Sequence, residues 1–339
     1  MKILVAPLNW GLGHASRCVP LVRRFIKEGH EVILGGDGDS LTLLRRHFPK
    51  LRYVYLAPLN LRYSAGKRQV WAMLKALPQL LRWSVQDHTL LKAVLNEEPI
   101  DRVVSDNRFG LYVSDSKAGQ TQCVYMTHQL HVMLPKGWQW AEPMVERLHA
   151  WVYGHYHQVW VPDYEEAGRS LAGELSHPGT LKKKNESKIQ YIGPLSRFSP
   201  VPASPQSSAS YDVVAVLSGL EPHRTMLEKE IIGRYQGADE RVLVIQGLPG
   251  RPNTRFKRGN ITMVPYMGDE ELAKALRGAR HIIARSGYST IMDMEALGLL
   301  KQNAQKEKSQ ISNLKSQIEL IPTPGQPEQE YLARLLCKK

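Results

Sequence analysis

Short apolar runs alternate along the chain with longer stretches in which apolar residues return every three or four positions. Residues 2–8 form the first run, which opens into the glycine-rich loop 9–14. Residues 15–29 then carry Val19, Leu21, Val22, Phe25 and Ile26 at helical spacing and stop at Gly29, which predicts a helix. Further strands are predicted over 31–36, 51–57, 102–105, 122–127 and 158–162, with a long helical stretch over 67–96 that Pro78 interrupts. Strands separated by helices imply a parallel sheet covered on both faces.

The alternation lapses at 199–210, where Pro and Ser replace the apolar side chains a core needs. It resumes with strands over 212–217, 241–246, 261–264 and 281–284 and helices over 224–234, 270–277 and 290–297. The expected organisation is a Rossmann-like N-terminal domain at 1–198, a linker at 199–210 and a C-terminal domain at 211–339. Two doubly wound α/β domains facing each other place a ligand cleft between the carboxyl ends of their strands. Residues 301–317 break the second half: they are rich in Lys, Gln, Ser and Asn and read as an inserted polar loop, partly helical or disordered.

Composition narrows the possibilities. A chain of 339 residues is comfortable for two cores. It has no apolar run of about 18 residues to span a bilayer and no secretory pattern at its start. Cys18, Cys123 and Cys337 lack paired spacing, so neither a disulfide framework nor a metal site is expected, and a cytoplasmic location fits. The net charge of +13 suits an anionic partner or a generally basic surface. No nucleic-acid-binding signature accompanies it, which leaves anionic lipid or a phosphorylated substrate. The stretch 67–92 mixes Lys67, Arg68, Lys75, Arg82 and Lys92 with Trp71, Met73, Leu74, Leu77, Leu80, Leu81 and Trp83. Such a helix can lie on the inner face of an anionic plasma membrane as a peripheral contact, or pack its apolar stripe on the sheet.

Three strand-to-helix turns carry the candidate chemistry. The first, Gly11-Leu12-Gly13-His14, lets backbone approach a ligand closely and offers helical N–H groups to an anion. Ser16 stands where a dinucleotide fingerprint has its third glycine, which argues against NAD. His14 can accept a proton near neutral pH. The second turn carries Ser218, Gly219 and Arg224. The third carries Arg285, Ser286, Gly287, Ser289 and Thr290 ahead of Asp293, and could cradle a diphosphate while Asp293 accepts from ribose hydroxyls. Alternatively, Ser289 or Thr290 simply caps the helix. His128, His131, His155 and His157 find no Cys or Glu at a metal-ligand spacing, and zinc is not expected.

Taken together, these loops resemble glycosyltransferase family 28, the MurG-like enzymes of GT-B fold. Gly11–His14 is similar to that family's glycine loop, residues 285–298 to its donor signature, and 322–330 to its sugar-contacting segment. Residues 105–110, 127–130 and 218–222 resemble a MurG-like branch of uncertain acceptor more closely still. The resemblance implies transfer of a hexose or N-acetylhexosamine from a UDP-sugar to a lipid-linked or cell-envelope glycan, inverting and without a metal or other cofactor. It implies that Asp293 holds the ribose, that Gly11, Gly13, Ser218, Gly219 and 286–290 face the donor, and that backbone at Tyr266 and Met267 faces the base. Gln326, Gln329 and Glu330 would contact the sugar, with Arg285 or Arg224 neutralising the leaving group. His14 would be the general base, with Asp106 or His128 as alternatives, and Asn107, Arg108 and Gln129 would line the acceptor side. Asp293 replaces a glutamate of the family and Glu330 a glutamine, the polar insertion replaces a tight turn, and the last helix is missing or very short. These departures keep two other readings open: an epimerase or hydrolase of nucleotide sugars, and an inactive basic protein that binds membrane or polyanion.

Overall fold

The strands Lys2–Pro7 (β1), Glu31–Gly36 (β2), Tyr53–Tyr55 (β3), Arg102–Asp106 (β4), Gln122–Met126 (β5), Gln158–Val161 (β6) and Ile189–Tyr191 (β7) pair in the order β3-β2-β1-β4-β5-β6-β7. All of these pairings are parallel. Ile3, Leu4, Val5 and Ala6 of β1 are all fully buried, as a strand covered on both faces requires. The helices of this unit are Gly13–Lys27 (α1), Gly38–His47 (α2), Gln69–Glu97 (α3) and Glu142–Gly154 (α4). Leu4, Ala6, Ile33, Val103 and Val159 share one core with Leu91 of α3 and with Tyr153 of α4. Val19, Val22 and Phe25 of α1 are buried as the 3.6-residue period expects.

A second sheet is built from Val213–Val216 (β8), Val242–Ile245 (β9), Phe256–Arg258 (β10), Ile261–Val264 (β11), His281–Arg285 (β12) and Gln317–Ile321 (β13). Its order is β10-β11-β9-β8-β12-β13, parallel except for the edge strand β10. Its helices are His223–Tyr235 (α5), Asp269–Gly278 (α6), Tyr288–Ala296 (α7) and Pro327–Lys338 (α8). Alternate strand residues feed two cores. Val213, Ala215, Val242 and Val244 pack with Leu227 and Ile231 of α5. Val214, Leu243 and Ile245 pack with Leu272 and Leu276 of α6 and Met294 of α7. Each sheet is thus doubly wound.

The structure is a computed structural model that describes residues 1–59, 69–113, 121–177, 186–198, 210–300 and 317–338, without the side chains of 69–76 and 337–338. Lys67, Arg68, nearly all of the Pro/Ser segment and nearly all of the polar insertion lie outside the described residues, as do the side chains of Trp71, Met73, Leu74 and Lys75. The chain divides into two compact units, Met1–Leu195 and Ser196–Lys339. Residues 196–198, expected at the end of the first domain, go with the second, where Phe198 packs in the α6–α7 core.

Several elements differ from the sequence expectation. α3 runs through Pro78 instead of breaking there. α2, α4, α8, β7, β10 and β13 are additional. All three residues of β10 are exposed, so no apolar signal marks it. Trp83 points inward: it is buried, and its indole N–H donates to the Ala57 carbonyl at 2.8 Å.

Candidate functional site

In each sheet the chain reverses its winding once, between β1 and β4 in the first and between β8 and β12 in the second. Loops at the carboxyl ends of such strands are where open α/β sheets hold ligands. The three glycine- and serine-containing turns singled out from the sequence follow β1, β8 and β12, and Asp106 ends β4.

At the first switch point, α1 begins at Gly13 without a side-chain cap, and Gly11 takes a positive φ of 74°, a conformation glycine adopts without strain. His14 and Arg17 lie one turn apart on α1, so both reach the end of β4. His14 Nδ1 is 2.8 Å from Asp106 Oδ1. Arg17 grips the same carboxylate with two nitrogens: Nε donates to Asp106 Oδ2 at 2.6 Å, and Nη2 donates to Oδ1. Arg17 Nη1 lies 2.9 Å from His128 Nδ1, and Nη2 lies 2.9 Å from His14 Nδ1. Burial alone would raise the Asp106 carboxyl, but Arg17, and after it His14, hold it well below the usual carboxylate range.

Exposure separates the three candidate bases. The Asp106 side chain is 0% exposed and that of His14 is 14% exposed, while His128 is buried against Arg17. Asp106 therefore has no surface from which to take a substrate proton, and its place is behind His14. Arg17 was not anticipated. Its signal was present in the sequence, as a cation three residues after His14 on a helix that starts at the glycine loop.

Arg108, expected to line the acceptor side, is fully buried. Its Nε and Nη2 donate to Asp87 of α3 at 2.8 and 2.7 Å, Nη1 donates to Asp37 at 2.9 Å, and Nη2 also donates to the Ala57 carbonyl at 2.6 Å. Trp83 lies over the guanidinium, 5.1 Å from ring centroid to Cζ. Two carboxylates and a carbonyl take up four of its five N–H donors, and with no exposed surface Arg108 is a structural knot tying α3 and the β2–α2 turn to the end of β4. Asp37 extends the knot by accepting from Asn9 Nδ2 at 2.9 Å, which ties it to the glycine loop. Asn107 takes a φ of 57°, and its Oδ1 accepts from Tyr125 Oη at 3.0 Å. Gln129 is half-buried, its backbone N–H bound to Thr127 Oγ1 at 3.1 Å. His131 pairs with Glu142 and Glu146 of α4.

In the second unit, Gly287 precedes α7 with no side-chain oxygen capping the helix, so Ser289 and Thr290 fall within its first turn instead of serving as caps. Among the described residues, a Cβ built at Gly287 or Gly219 meets nothing within 4 Å. Ser286 is fully buried, and its hydroxyl donates to the Gln329 carbonyl at 2.8 Å. Gln329 Oε1 accepts from the Thr323 N–H at 2.8 Å, fixing the loop before α8, where Gln326 is half-buried and Glu330 exposed. Ser218 is half-buried at the end of β8. Tyr266 and Met267 follow β11 with buried side chains, which leaves their backbone as the part to meet a ligand.

Both arginines expected to face the leaving group are engaged within the fold. Arg285 is buried and donates to the carbonyls of Pro322 and His223 at 3.1 and 2.8 Å. Arg224 is held by Glu221 at 2.6 Å and Glu228 at 2.7 Å. Asp293 accepts from Ser196 Oγ at 2.6 Å and lies 3.7 Å from Arg197 Nε. Burial pushes its carboxyl up to about 6, against the pull of Arg197 and Ser196.

No protein-family model matches the chain. It is 25% identical to an uncharacterized glycosyltransferase of Methanosarcina acetivorans, covering 88% of this chain and 76% of that protein. It is 20% identical to an uncharacterized glycosyltransferase of Methanosarcina mazei, over 88% and 78% of the two chains. Among solved structures, the kitacinnamycin glycosyltransferase superposes with a TM-score of 0.57 at 15% identity, covering 98% of this chain and 83% of that one. A spinosyn rhamnosyltransferase complexed with thymidine diphosphate superposes at 0.51 and 15% identity, over 88% and 79%. With its two doubly wound sheets, parallel but for the edge strand β10, the chain has the GT-B fold of glycosyltransferases.

Proposed function

We propose that this chain is a glycosyltransferase that moves a hexose or N-acetylhexosamine from a UDP-sugar to a lipid-linked or cell-envelope glycan, with inversion and without a metal, in the manner of family 28. The observation that carries the reading is the His14–Asp106 contact of 2.8 Å at the switch point of the first sheet, in a chain of GT-B fold. A histidine whose Nδ1–H is held by a buried carboxylate presents Nε2 as the proton acceptor for a sugar or lipid hydroxyl. The donor is assigned to the second unit. The N-terminus of α7 would take the diphosphate, Asp293 the ribose, and Gln329 Nε2 the sugar.

Anionic membrane is the proposed site of the acceptor. Trp140, Met144, Leu148 and Trp151 form an exposed apolar stripe along α4 and the turn before it. The two carboxylates of this helix, Glu142 and Glu146, pair with His131, which leaves Lys136 and Arg147 as the exposed charges beside the stripe.

Calorimetry with UDP-, GDP- and TDP-sugars tests the donor. UDP-sugars are expected to bind most tightly; preference for a TDP-sugar would overturn the nucleotide assignment. Release of UDP that depends on added lipid extract supports transfer. An isomerised free sugar formed without any acceptor would favour an epimerase.

A further inference from the structure

α2 starts at Gly38 without a cap from its own chain: Asp37 holds the N-cap position, but its Oδ1 accepts from Asn9 and its Oδ2 from Arg108. The cap comes from the glycine loop instead. Asn9 Oδ1 accepts from the backbone N–H of Ser40, the third residue of α2, at 3.2 Å, the bond a capping side chain ordinarily makes. Ser40 returns the contact, its hydroxyl lying 3.3 Å from the carbonyls of both Leu8 and Gly11. The start of α2 therefore grips the loop at residues 8, 9 and 11, and α1, which carries His14, begins at Gly13.

Partner types fix the orientation of the Asn9 amide. One end faces a backbone N–H and the other a carboxylate, so the oxygen turns to Ser40 and the NH2 group to Asp37. A flipped amide would set donor against donor and acceptor against acceptor. The first residue of α2 leaves room for this clamp: a Cβ at Gly38 would lie 2.2 Å from Asn9 Nδ2, and Gly38 takes a φ of 51°. Asp37 is fixed in turn by the buried Arg108, which Asp87 of α3 holds. Asn9 thus joins the glycine loop to the buried knot.

We propose that Asn9 is the positioning residue of the glycine loop: by capping α2 from outside that helix, it holds residues 9–13 in the shape that starts α1 with His14 against Asp106. The proposal rests on the reading of His14 as the base and adds what aims it. A loop with two glycines among its last three residues has many shapes open to it, and fixing one requires contacts from outside. Catalysis is sensitive to such placement, since a shift of about 1 Å can cost about 10²-fold in rate.

The test is hydrogen exchange of the full-length chain, read by mass spectrometry over residues 10–16, beside UDP release from a UDP-sugar with lipid extract. Asn9→Ala should speed exchange there several-fold, leave β5 and β9 unchanged, and slow transfer about 10-fold or more. Asn9→Asp alone sets two carboxylates together, and Asp37→Asn alone must turn its NH2 group to a donor, so each should loosen the loop as well. Combined, the two changes rebuild the clamp. The new carboxylate accepts from Ser40 and from the new amide, whose oxygen accepts from Arg108. Exchange over 10–16 is expected to return to the wild-type rate in the double variant, and transfer to recover most of its rate. A residue that only adds stability would give additive losses, and additive losses overturn the proposal. Unchanged exchange over 10–16 in folded Asn9→Ala overturns it too, as does faster exchange with undiminished transfer. Absence of transfer in the wild type counts against the base reading alone, because the exchange cycle decides the clamp without turnover.

Discussion

At the scale of single residues, Asp106 of the first unit and Asp293 of the second sit in opposite electrostatic environments. Asp106 is ionised by its guanidinium partner, whereas Asp293 is pushed up to about 6 by burial. A carboxyl whose folded value exceeds its unfolded value favours the folded state when protonated. That contribution is complete below the unfolded value near 3.8 and is lost as pH rises through about 6, so at pH 7.5 Asp293 opposes folding. Asp293→Asn keeps the acceptor for Ser196 and removes the charge. It should stabilise the protein by about 1–3 kcal/mol at pH 7.5 and by progressively less toward pH 5. The same change should weaken UDP binding by about 1 kcal/mol or more if the carboxylate holds the ribose. Thermal melts across that pH range and calorimetry read both effects, and a lower melting temperature at pH 7.5 contradicts the electrostatic account. His14→Ala is expected to reduce transfer about 10²–10⁴-fold and to leave UDP affinity nearly unchanged, which initial rates and calorimetry together would separate.

Legibility at the scale of elements depended on which way side chains face. β2 and β11 match their predicted bounds: β2 carries the apolar run Val32-Ile33-Leu34, and in β11 Ile261, Met263 and Val264 flank a β-branched threonine. α4 is not among the predicted helices although Trp140, Met144, Leu148 and Trp151 recur at helical spacing; what the spacing does not reveal is that this face is exposed while Glu146 points inward to His131. The glycine turns were legible because small residues at strand ends mark close backbone approach. Arg108 was misplaced because sequence alone does not tell a buried arginine from an exposed one, and its partners Asp37 and Asp87 lie 71 and 21 positions away. The packing beneath that knot is tight. A Cβ at Gly110 would lie 1.9 Å from the Ser84 carbonyl oxygen of α3, a contact that only a backbone shift relieves. Gly110→Ala is therefore expected to cost about 1–3 kcal/mol or more in urea denaturation, and no loss would mean that α3 moves freely against β4. Arg108→Met leaves two buried aspartates without their cation and should cost about 3–5 kcal/mol by the same measurement.

At the scale of the whole molecule, an excess of 13 positive charges adds long-range attraction for anionic surfaces to whatever each element contributes. The proposed membrane contact needs both this field and an apolar anchor, because neither alone gives firm binding at physiological salt. No helix among the described residues is long and apolar enough to cross a membrane. The exposed residues Trp140 and Trp151 are suited to the apolar anchor, since indole rings settle at the headgroup boundary. Flotation with vesicles containing phosphatidylglycerol is expected to carry the wild-type chain upward. Pure phosphatidylcholine should carry much less, and binding should fall as salt is raised from 50 to 300 mM. Trp140→Ser combined with Trp151→Ser should reduce flotation several-fold without lowering the melting temperature, because both side chains are already in solvent. Undiminished flotation of that variant would move the contact elsewhere, with the exposed Leu77, Leu81 and Val85 of α3 next to test. Equal binding to neutral and anionic vesicles would remove the electrostatic half of the argument and leave the positive charge to the anionic donor alone.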